Sequence, residues 1–324
     1  MLSLLCKQFG PPETLVLEDV PSLHAGKGQV VISVRACGVN FPDTLIIENK
    51  YQFKPPLPFA PGGEVSGVVT EVGEAVRHLK VGDKVFALTG HGGFAEEVVA
   101  DAAKTLPMPP GMDFVTAASV MYTYGTTYHA LKDRAMLREG DTLLVLGAAG
   151  GVGLAAVQMG LLAGAKVIAA ASSEEKLDVC RAMGVAATIN YSTEDLKERI
   201  KEITNGKGVD VVYDPIGDKY TEPALRSMAW KGRYLVVGFA AGEIPKIPLN
   251  LVLLKGCQLI GVFWGQFATL EPANSMQNFK ELVAMILEGK LKQHIHKLYS
   301  LKTAPEALQD LIDRKVIGKA VVVV

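Results

Sequence analysis

The sequence predicts an α/β protein in which a doubly wound parallel sheet is preceded and followed in the chain by parts of a separate β domain. Three observations predict it. Six short apolar runs, around Leu144, Ile168, Thr188, Val211, Leu235 and Ile260, alternate with helical stretches, as parallel strands joined by crossover helices do. The first third alternates with period two instead, placing Val30, Ile32 and Val34 on one face and Val31, Ser33 and Arg35 on the other, the pattern of antiparallel strands. Between the two textures, the apolar run Thr142–Leu146 breaks into glycines and resumes as Leu154-Ala-Ala-Val-Gln-Met, which reads as strand, tight turn and helix.

Taken in order, further strands of the β domain are expected at 64–72, 84–88 and 94–100, separated by turns such as Val81-Gly-Asp83. Residues 49–63 carry Pro55, Pro56, Pro58 and Pro61. That density forbids a regular element and predicts an ordered loop or lid. From Met112 the pattern turns helical, with Phe114 to Leu131 apolar on most turns and interrupted at Gly125. After Gly265 a helix near 276–288, a strand near 294–299, a helix near 304–313 and the last strand, 321–324, are expected. A six-stranded doubly wound sheet leaves no place for these elements, so they are expected to rejoin the β domain. The expected division is 1–121 with 266–324 for that domain, and 122–265 for the sheet of parallel strands.

The glycine-rich turn carries the chemistry. Leu143 to Leu146 is apolar without alternation, which suits a strand buried on both faces. The glycines remove Cβ atoms where the backbone must turn and approach a ligand, and the following helix offers unpaired N–H groups to a pyrophosphate. Ala149, Gly150, Gly151 and Val152 are therefore candidates to hold it. Aligned with the G-x-G-x-x-G dinucleotide fingerprint, Gly150 and Gly153 take the last two glycine places, Ala148 takes the first, and Gly147 lies one residue earlier. A second apolar strand begins at Lys166. Its end bears on the cofactor: an NAD site wants a carboxylate about 20 residues past the fingerprint for the ribose 2′-hydroxyl, and here Ser172 and Ser173 stand there, followed by Glu174, Glu175 and Lys176. Two hydroxyls and a lysine reaching back favour a 2′-phosphate, hence NADPH.

The bulk numbers exclude several classes. With 33 basic and 34 acidic residues and no block of like charge, nothing points to nucleic acid or to a membrane surface. Cys6, Cys37, Cys180 and Cys257 are isolated and show no C-x-x-C spacing, so neither a zinc site nor a disulfide framework is expected. The stretch before Gly10-Pro-Pro is too short for a signal peptide, and no apolar run approaches a membrane span. A cytoplasmic protein with reduced thiols is expected.

Several motifs in the same order resemble the medium-chain dehydrogenase/reductase superfamily. They are Cys37-Gly-Val-Asn-Phe-Pro-Asp43, Pro61-Gly-Gly-Glu-Val-Ser-Gly67, Val81-Gly-Asp-Lys-Val85, Gly147-Ala-Ala-Gly-Gly-Val-Gly153, Val209-Asp-Val-Val-Tyr-Asp214 and Gly318-Lys-Ala-Val-Val322. The A-A-G-G-V-G and G-V-N-F-x-D forms are similar to the zinc-free quinone oxidoreductase branch, which includes ζ-crystallin. The resemblance implies a GroES-like β domain completed by the C-terminus, a Rossmann domain, and NADPH in a cleft at their junction. In the zinc-dependent branch a Cys and the His of a G-H-E motif bind the catalytic metal; the matching places here hold Asn40 and Gly63, and the structural-zinc lobe is missing. His294 and His296 share a strand face with no third ligand nearby and read as surface residues, and His91 reads as a loop residue.

Without a metal, the implied reaction is hydride transfer to a conjugated carbonyl, whose oxygen must be stabilised by a hydrogen-bond donor. The resemblance makes Asn40 and Tyr51 the catalytic candidates. Tyr51 matches a tyrosine of the branch, whereas a second tyrosine of related enzymes is replaced by Leu45. For the cofactor it implies Thr127 at a helix start beside the nicotinamide ribose or pyrophosphate, Tyr191 beside the adenosine phosphate, and Gly238 and Phe239 at the carboxamide. Phe263 and Trp264 would wall the pocket, with Arg314 a further 2′-phosphate candidate. The expected activity is NADPH-dependent reduction of quinones or α,β-unsaturated carbonyls. One alternative is an enoyl or acryloyl thioester reductase, for which Lys50 and Lys54 are the cations at hand to meet coenzyme A; another is a non-catalytic crystallin-like NADPH-binding protein. The apolar sixth strand, 258–264, would lie at the sheet edge and predicts a homodimer.

Overall fold

The computed structural model describes all residues, 1–324, and they divide into two compact units, 1–122 with 293–324 and 123–292. No helix is long and apolar enough to cross a membrane.

The first unit begins with the hairpin β1 (Leu2–Leu5) and β2 (Val16–Asp19). It continues with β3 (Gln29–Gly38), α1 (Phe41–Ile47), β4 (Glu64–Val72), β5 (Lys84–Leu88), β6 (Glu97–Asp101), β7 (Thr105–Pro107) and α2 (Phe114–Ala117). β3 is its spine, pairing antiparallel with β4 and with β6. Its alternation is real at the far end, but Val31 is buried along with Val30 and Ile32, because both faces of β3 are covered there. The proline-dense segment forms no regular element after α1, as its fixed φ angles and missing N–H groups require.

The second unit starts in α3 (Met121–Tyr128), which a single π-helical turn extends through His129–Arg134. Then come β8 (Thr142–Leu146), α4 (Gly151–Leu162), β9 (Lys166–Ala171), α5 (Glu174–Ala182), β10 (Ala187–Asn190), α6 (Leu196–Ile203), β11 (Val209–Asp214), α7 (Thr221–Arg226), β12 (Met228–Val236), α8 (Leu249–Lys255), β13 (Gln258–Gly261), α9 (Trp264–Leu270) and α10 (Pro272–Leu287). The six strands form one parallel sheet in the order β10-β9-β8-β11-β12-β13. This is the doubly wound Rossmann order, and it reverses at β8, where the glycine turn follows the strand. The chain then returns to the first unit through β14 (Ile295–Ser300), α11 (Ala304–Ile312) and β15 (Lys319–Val323), and β15 pairs with β3.

Two expectations are corrected. The helix expected to break at Gly125 breaks at 118–120 instead, and Gly125 lies inside α3. The reason is packing: a Cβ on Gly125 would stand 2.6 Å from Cζ2 of Trp264, so the glycine admits an indole rather than ending a helix. Second, residues 266–292 were expected in the β domain but belong to the Rossmann unit. α10 folds back on α3 and its extension, where the Tyr128 hydroxyl donates to Glu281 at 2.6 Å, Lys132 bridges Glu281 and Asn278, and the amide of Asn278 donates to Asp133 at 2.6 Å. The His129 ring stacks on Phe267 with centroids 3.8 Å apart.

Candidate functional site

The nucleotide-binding features gather at the carboxyl ends of β8, β9, β11 and β12 in the Rossmann unit. Gly147 takes φ +59° and a Cβ there would strike Ile216. The left-handed turn is therefore made by Gly147, and Ala148, which the fingerprint alignment put in that place, is simply buried behind it. Gly153 has a different duty, since its Cβ would lie 2.2 Å from the Gly147 carbonyl oxygen. Gly150 is the N-cap of α4 and no side chain caps that end. The first-turn N–H groups beyond it, at Gly151 and Val152, are thus left to a ligand, with the positive end of the helix behind them. Ala149 is buried against the turn.

At the end of β9, Ser173 caps α5 and accepts from the Lys176 N–H, while the Lys176 ammonium turns back to the Ser172 hydroxyl at 3.1 Å. The neighbouring carboxylate, Glu174, is held by Arg181 at 2.7 Å and by the Asn190 amide, which depress its pKa. Ser172, Ser173 and Lys176 therefore form a small cationic, donor-rich corner. Tyr191 adjoins it: its N–H donates to Ala171, its ring lies on Tyr220, and the next residue, Ser192, donates to the Ser172 carbonyl.

Past β12, the Asp214 carbonyl accepts from the Val237 and Gly238 N–H groups. The Asp214 carboxylate accepts from the Ile216 and Gly217 N–H groups and from the hydroxyls of Thr221 and Tyr234. Those bonds shape the loops after β11 and β12 and leave the Phe239 N–H and the Gly238 carbonyl for a ligand. Phe239 covers Gly217 (φ +66°).

Other candidates sit differently. Thr127 is next to last in α3, not at a helix start, and is fully buried; its hydroxyl donates to the Val152 carbonyl and meets the Tyr213 hydroxyl at 2.9 Å. It braces the start of α4 through Val152. Trp264 is buried on Gly125, and Phe263 beside it is 59% exposed. Arg314 belongs to the β unit, on the turn after α11 with φ +58°, whereas Ser172 belongs to the Rossmann unit.

In the β unit the polar residues converge below α1. Asn40 caps that helix in a capping box with Asp43. Its side-chain amide donates to the Gly38 carbonyl (3.2 Å) and to Glu64 (3.0 Å), and its oxygen accepts from the Lys319 ammonium. Both amide hydrogens are used and the residue is 8% exposed. Asn40, expected to donate to substrate, is instead a knot in the protein's own network. Glu64, at 0% exposure, also accepts from the Tyr122 N–H, and Lys319, at 2%, pairs with it at 3.0 Å. Asp43 accepts from the N–H groups of Asn40 and Gly62, yet burial outweighs those bonds and pushes its pKa up to about 6. Tyr51 is half-buried against the core, and its hydroxyl makes no internal hydrogen bond; burial, then the charge of Asp43, raises its pKa. His91 lies between Phe53 and Phe59, and burial lowers its pKa.

The sequence reading missed Glu64, Lys319, Asp43 and Asp214 as site-forming residues. Their signal was present as charge in apolar context: Glu64 opens a strand that continues Val-Ser-Gly-Val-Val, and Lys319 precedes Ala-Val-Val-Val-Val. A charge at such a place is buried, and a buried charge needs a partner.

Comparison with known proteins agrees with this architecture. Residues 26–110 match the family described as alcohol dehydrogenase GroES-like domain, and residues 151–286 the family described as zinc-binding dehydrogenase. The chain is 40% identical over 324 residues to a quinone oxidoreductase-like protein 2 homolog of Nematostella vectensis, covering 99% of this chain and 88% of that one. It is 35% identical to a quinone oxidoreductase of Pseudomonas aeruginosa, over 97% of this chain and 96% of that one. The crystal structure of Escherichia coli quinone oxidoreductase complexed with NADPH is 29% identical and superposes with a TM-score of 0.92 over 100% of both chains. The glycine turn, the strand order and these relatives together place the chain in the medium-chain dehydrogenase/reductase superfamily, in its quinone oxidoreductase, ζ-crystallin-like branch.

Proposed function

We propose that this protein is an NADPH-dependent oxidoreductase that reduces quinones or α,β-unsaturated carbonyls without a catalytic metal, working in the cytoplasm as a homodimer. The observation that carries the cofactor is the Ser172–Lys176 corner, an ammonium already turned back over the end of β9, with the Glu174 carboxylate held by Arg181 and Asn190. A 2′-phosphate fits its donors, and the pyrophosphate fits the uncapped start of α4. When bound, NADPH supplies the hydride.

The residues of this chain do the rest. Charge arriving with hydride moves onto the acceptor's carbonyl oxygen, where a donor stabilises it. Tyr51 supports that role because its hydroxyl is uncommitted and it sits on the loop after α1. Hydride at the β-carbon and the Tyr51 proton on the enolate oxygen give an enol and a phenolate; solvent reprotonates the phenolate, and tautomerisation of the enol, with a proton gained at the α-carbon and the hydroxyl proton released, completes reduction of the carbon–carbon double bond. No group of three or more His, Cys, Asp or Glu side chains is arranged to hold a metal, and the place of the metal-binding histidine is Gly63. Four free, buried cysteines fit a reducing compartment. The open edge strand β13, with Leu259 exposed and Leu253 and Leu254 of the preceding helix α8 exposed as well, fits a second copy.

The test is a screen of NADPH and NADH oxidation with quinones, enones and enoyl thioesters. Turnover with NADPH and a quinone or enone is expected. Preference for a coenzyme A thioester would move the assignment to a thioester reductase; Lys50, spent on Glu48, gives that reading little support. Binding of NADPH without turnover of any acceptor would make the protein a cofactor-binding relative with no catalytic role.

A further inference from the structure

The buried ion pair of the β unit is tied to the loop that carries Tyr51. The Lys319 ammonium, on β15, is bonded to Glu64 at the start of β4 and to the side-chain oxygen of Asn40 at the start of α1. Asn40 in turn donates its backbone N–H to Asp43, and Asp43 accepts from Gly62 at the end of the proline-dense loop. Both ends of the 41–62 segment are thus fastened to one cation. A Cβ on Gly38 would meet the Ala118 carbonyl oxygen at 2.1 Å first, and then the Glu64 carboxylate at 2.9 Å and Lys319 Cε at 3.1 Å, so the pair packs directly on this glycine's backbone.

A buried ion pair is a poor device for stability alone, because desolvation offsets most of its attraction. We propose that Lys319 is a positioning residue for the reductive step: paired with Glu64, it holds the start of α1 and the Gly62 turn so that the intervening loop presents the Tyr51 hydroxyl to the acceptor. It also acts on Asp43, whose negative charge, after burial, makes the Tyr51 proton harder to release. This rests on Tyr51 being the donor, as proposed above.

The experiment compares Lys319→Arg and the doubly substituted Glu64→Gln/Lys319→Met protein, each with and without Tyr51→Phe. The double variant removes both charges together, which avoids the unfolding that an orphaned Glu64 carboxylate invites. Two readouts are taken: kcat and KM for an enone, and amide hydrogen exchange of residues 41–62 in the ligand-free protein. The expected result is faster exchange confined to 41–62, a fall in kcat of about tenfold or more with KM little changed, partial recovery in Lys319→Arg, and no further fall when Tyr51 is already Phe. Unchanged exchange in 41–62, an unchanged kcat, or losses that add fully to those of Tyr51→Phe would each overturn the proposal. If Tyr51→Phe alone leaves enone turnover intact, the donor reading falls instead, and a coupled kcat can no longer be expected of Lys319; the exchange result then decides whether Lys319 holds the segment.

Discussion

The ammonium of Lys176 stands 3.1 Å from the hydroxyl oxygen of Ser172, so the third residue of the next helix is folded back over the end of β9. Ser173, by capping α5, sets the turn that makes this possible. Removing the cation should weaken a charge-assisted contact to a 2′-phosphate worth roughly 1.5–3 kcal/mol. Lys176→Ala is therefore expected to lower NADPH affinity by about 10- to 100-fold and to leave NADH nearly untouched. Fluorescence titration with both cofactors checks this; equal losses, or a native preference for NADH, would sink the 2′-phosphate assignment.

Gly125 gives a test of packing against propensity. In the interior of a helix, Gly→Ala gains about 1 kcal/mol of helix propensity. Here the new methyl would meet the buried indole of Trp264 at 2.6 Å, and overpacking typically costs about 1–3 kcal/mol. Gly125→Ala should be net destabilising, and Trp264→Phe in the same chain should recover part of the loss. Denaturant unfolding of the native protein and the two variants checks it; a stabilised single variant would show that the indole moves freely.

Gly125 also shows what the sequence could and could not tell. The six parallel strands and their order were legible because each is a short apolar run between helical periods, and a parallel sheet buried on both faces leaves no other pattern. The glycine turn was legible for the same local reason. Gly125 was read as a helix break because one chain segment cannot reveal the indole 139 positions later that needs the space. The same blindness put α10 in the wrong unit: its ties to α3, through Glu281 and Asn278, join residues about 150 positions apart. The network around Asn40 was not legible, because its partners, Glu64 and Lys319, come from two other strands.

The edge strand predicts assembly. β13 ends the parallel sheet, and its Leu259 is exposed together with Leu253 of α8, which is 78% exposed. A second copy pairing there would close the edge. Sedimentation at micromolar concentration should show a dimer, and Leu259→Lys should shift it toward monomer. A monomeric native protein would reject the homodimer.

Asp43 predicts a pH dependence of stability. Its carboxyl is pushed from 3.8 to about 6, first by burial and then by the nearby Glu64 charge, against the opposing N–H bonds of Asn40 and Gly62 and the Lys319 cation. Cys37, Tyr51 and Tyr122 also feel its charge. The folded state thus holds this proton more tightly than the unfolded state. The stabilisation is fully present below about pH 3.8 and is lost as pH rises through about 6. Native stability minus that of Asp43→Asn should therefore fall between these values and level off above. Urea unfolding from pH 4 to 8 measures it; a difference that rises with pH would mean that Asp43 is ionised and stabilised in the fold.

The last prediction concerns mechanism. If the acceptor oxygen is stabilised by the Tyr51 hydroxyl and no cation takes part, exhaustive chelation should leave turnover intact. Tyr51→Phe then separates the two parts this residue can play, because its ring packs on the core while its hydroxyl is uncommitted. As a donor, the hydroxyl matters most for an enone, where charge collects on one oxygen, and its loss should lower kcat by up to about 10²–10³-fold on the scale of other oxyanion donors. In a quinone the incoming charge is spread over the conjugated ring, so the loss should be smaller. As a loop anchor only, Tyr51→Phe keeps the ring contact and should change both substrates alike. Steady-state kinetics on one enone and one quinone, with and without chelator, distinguish these cases. Metal-dependent activity would end the metal-free assignment, and parallel losses on the two substrates would leave Tyr51 as scaffold, with the donor to be sought elsewhere on the β unit.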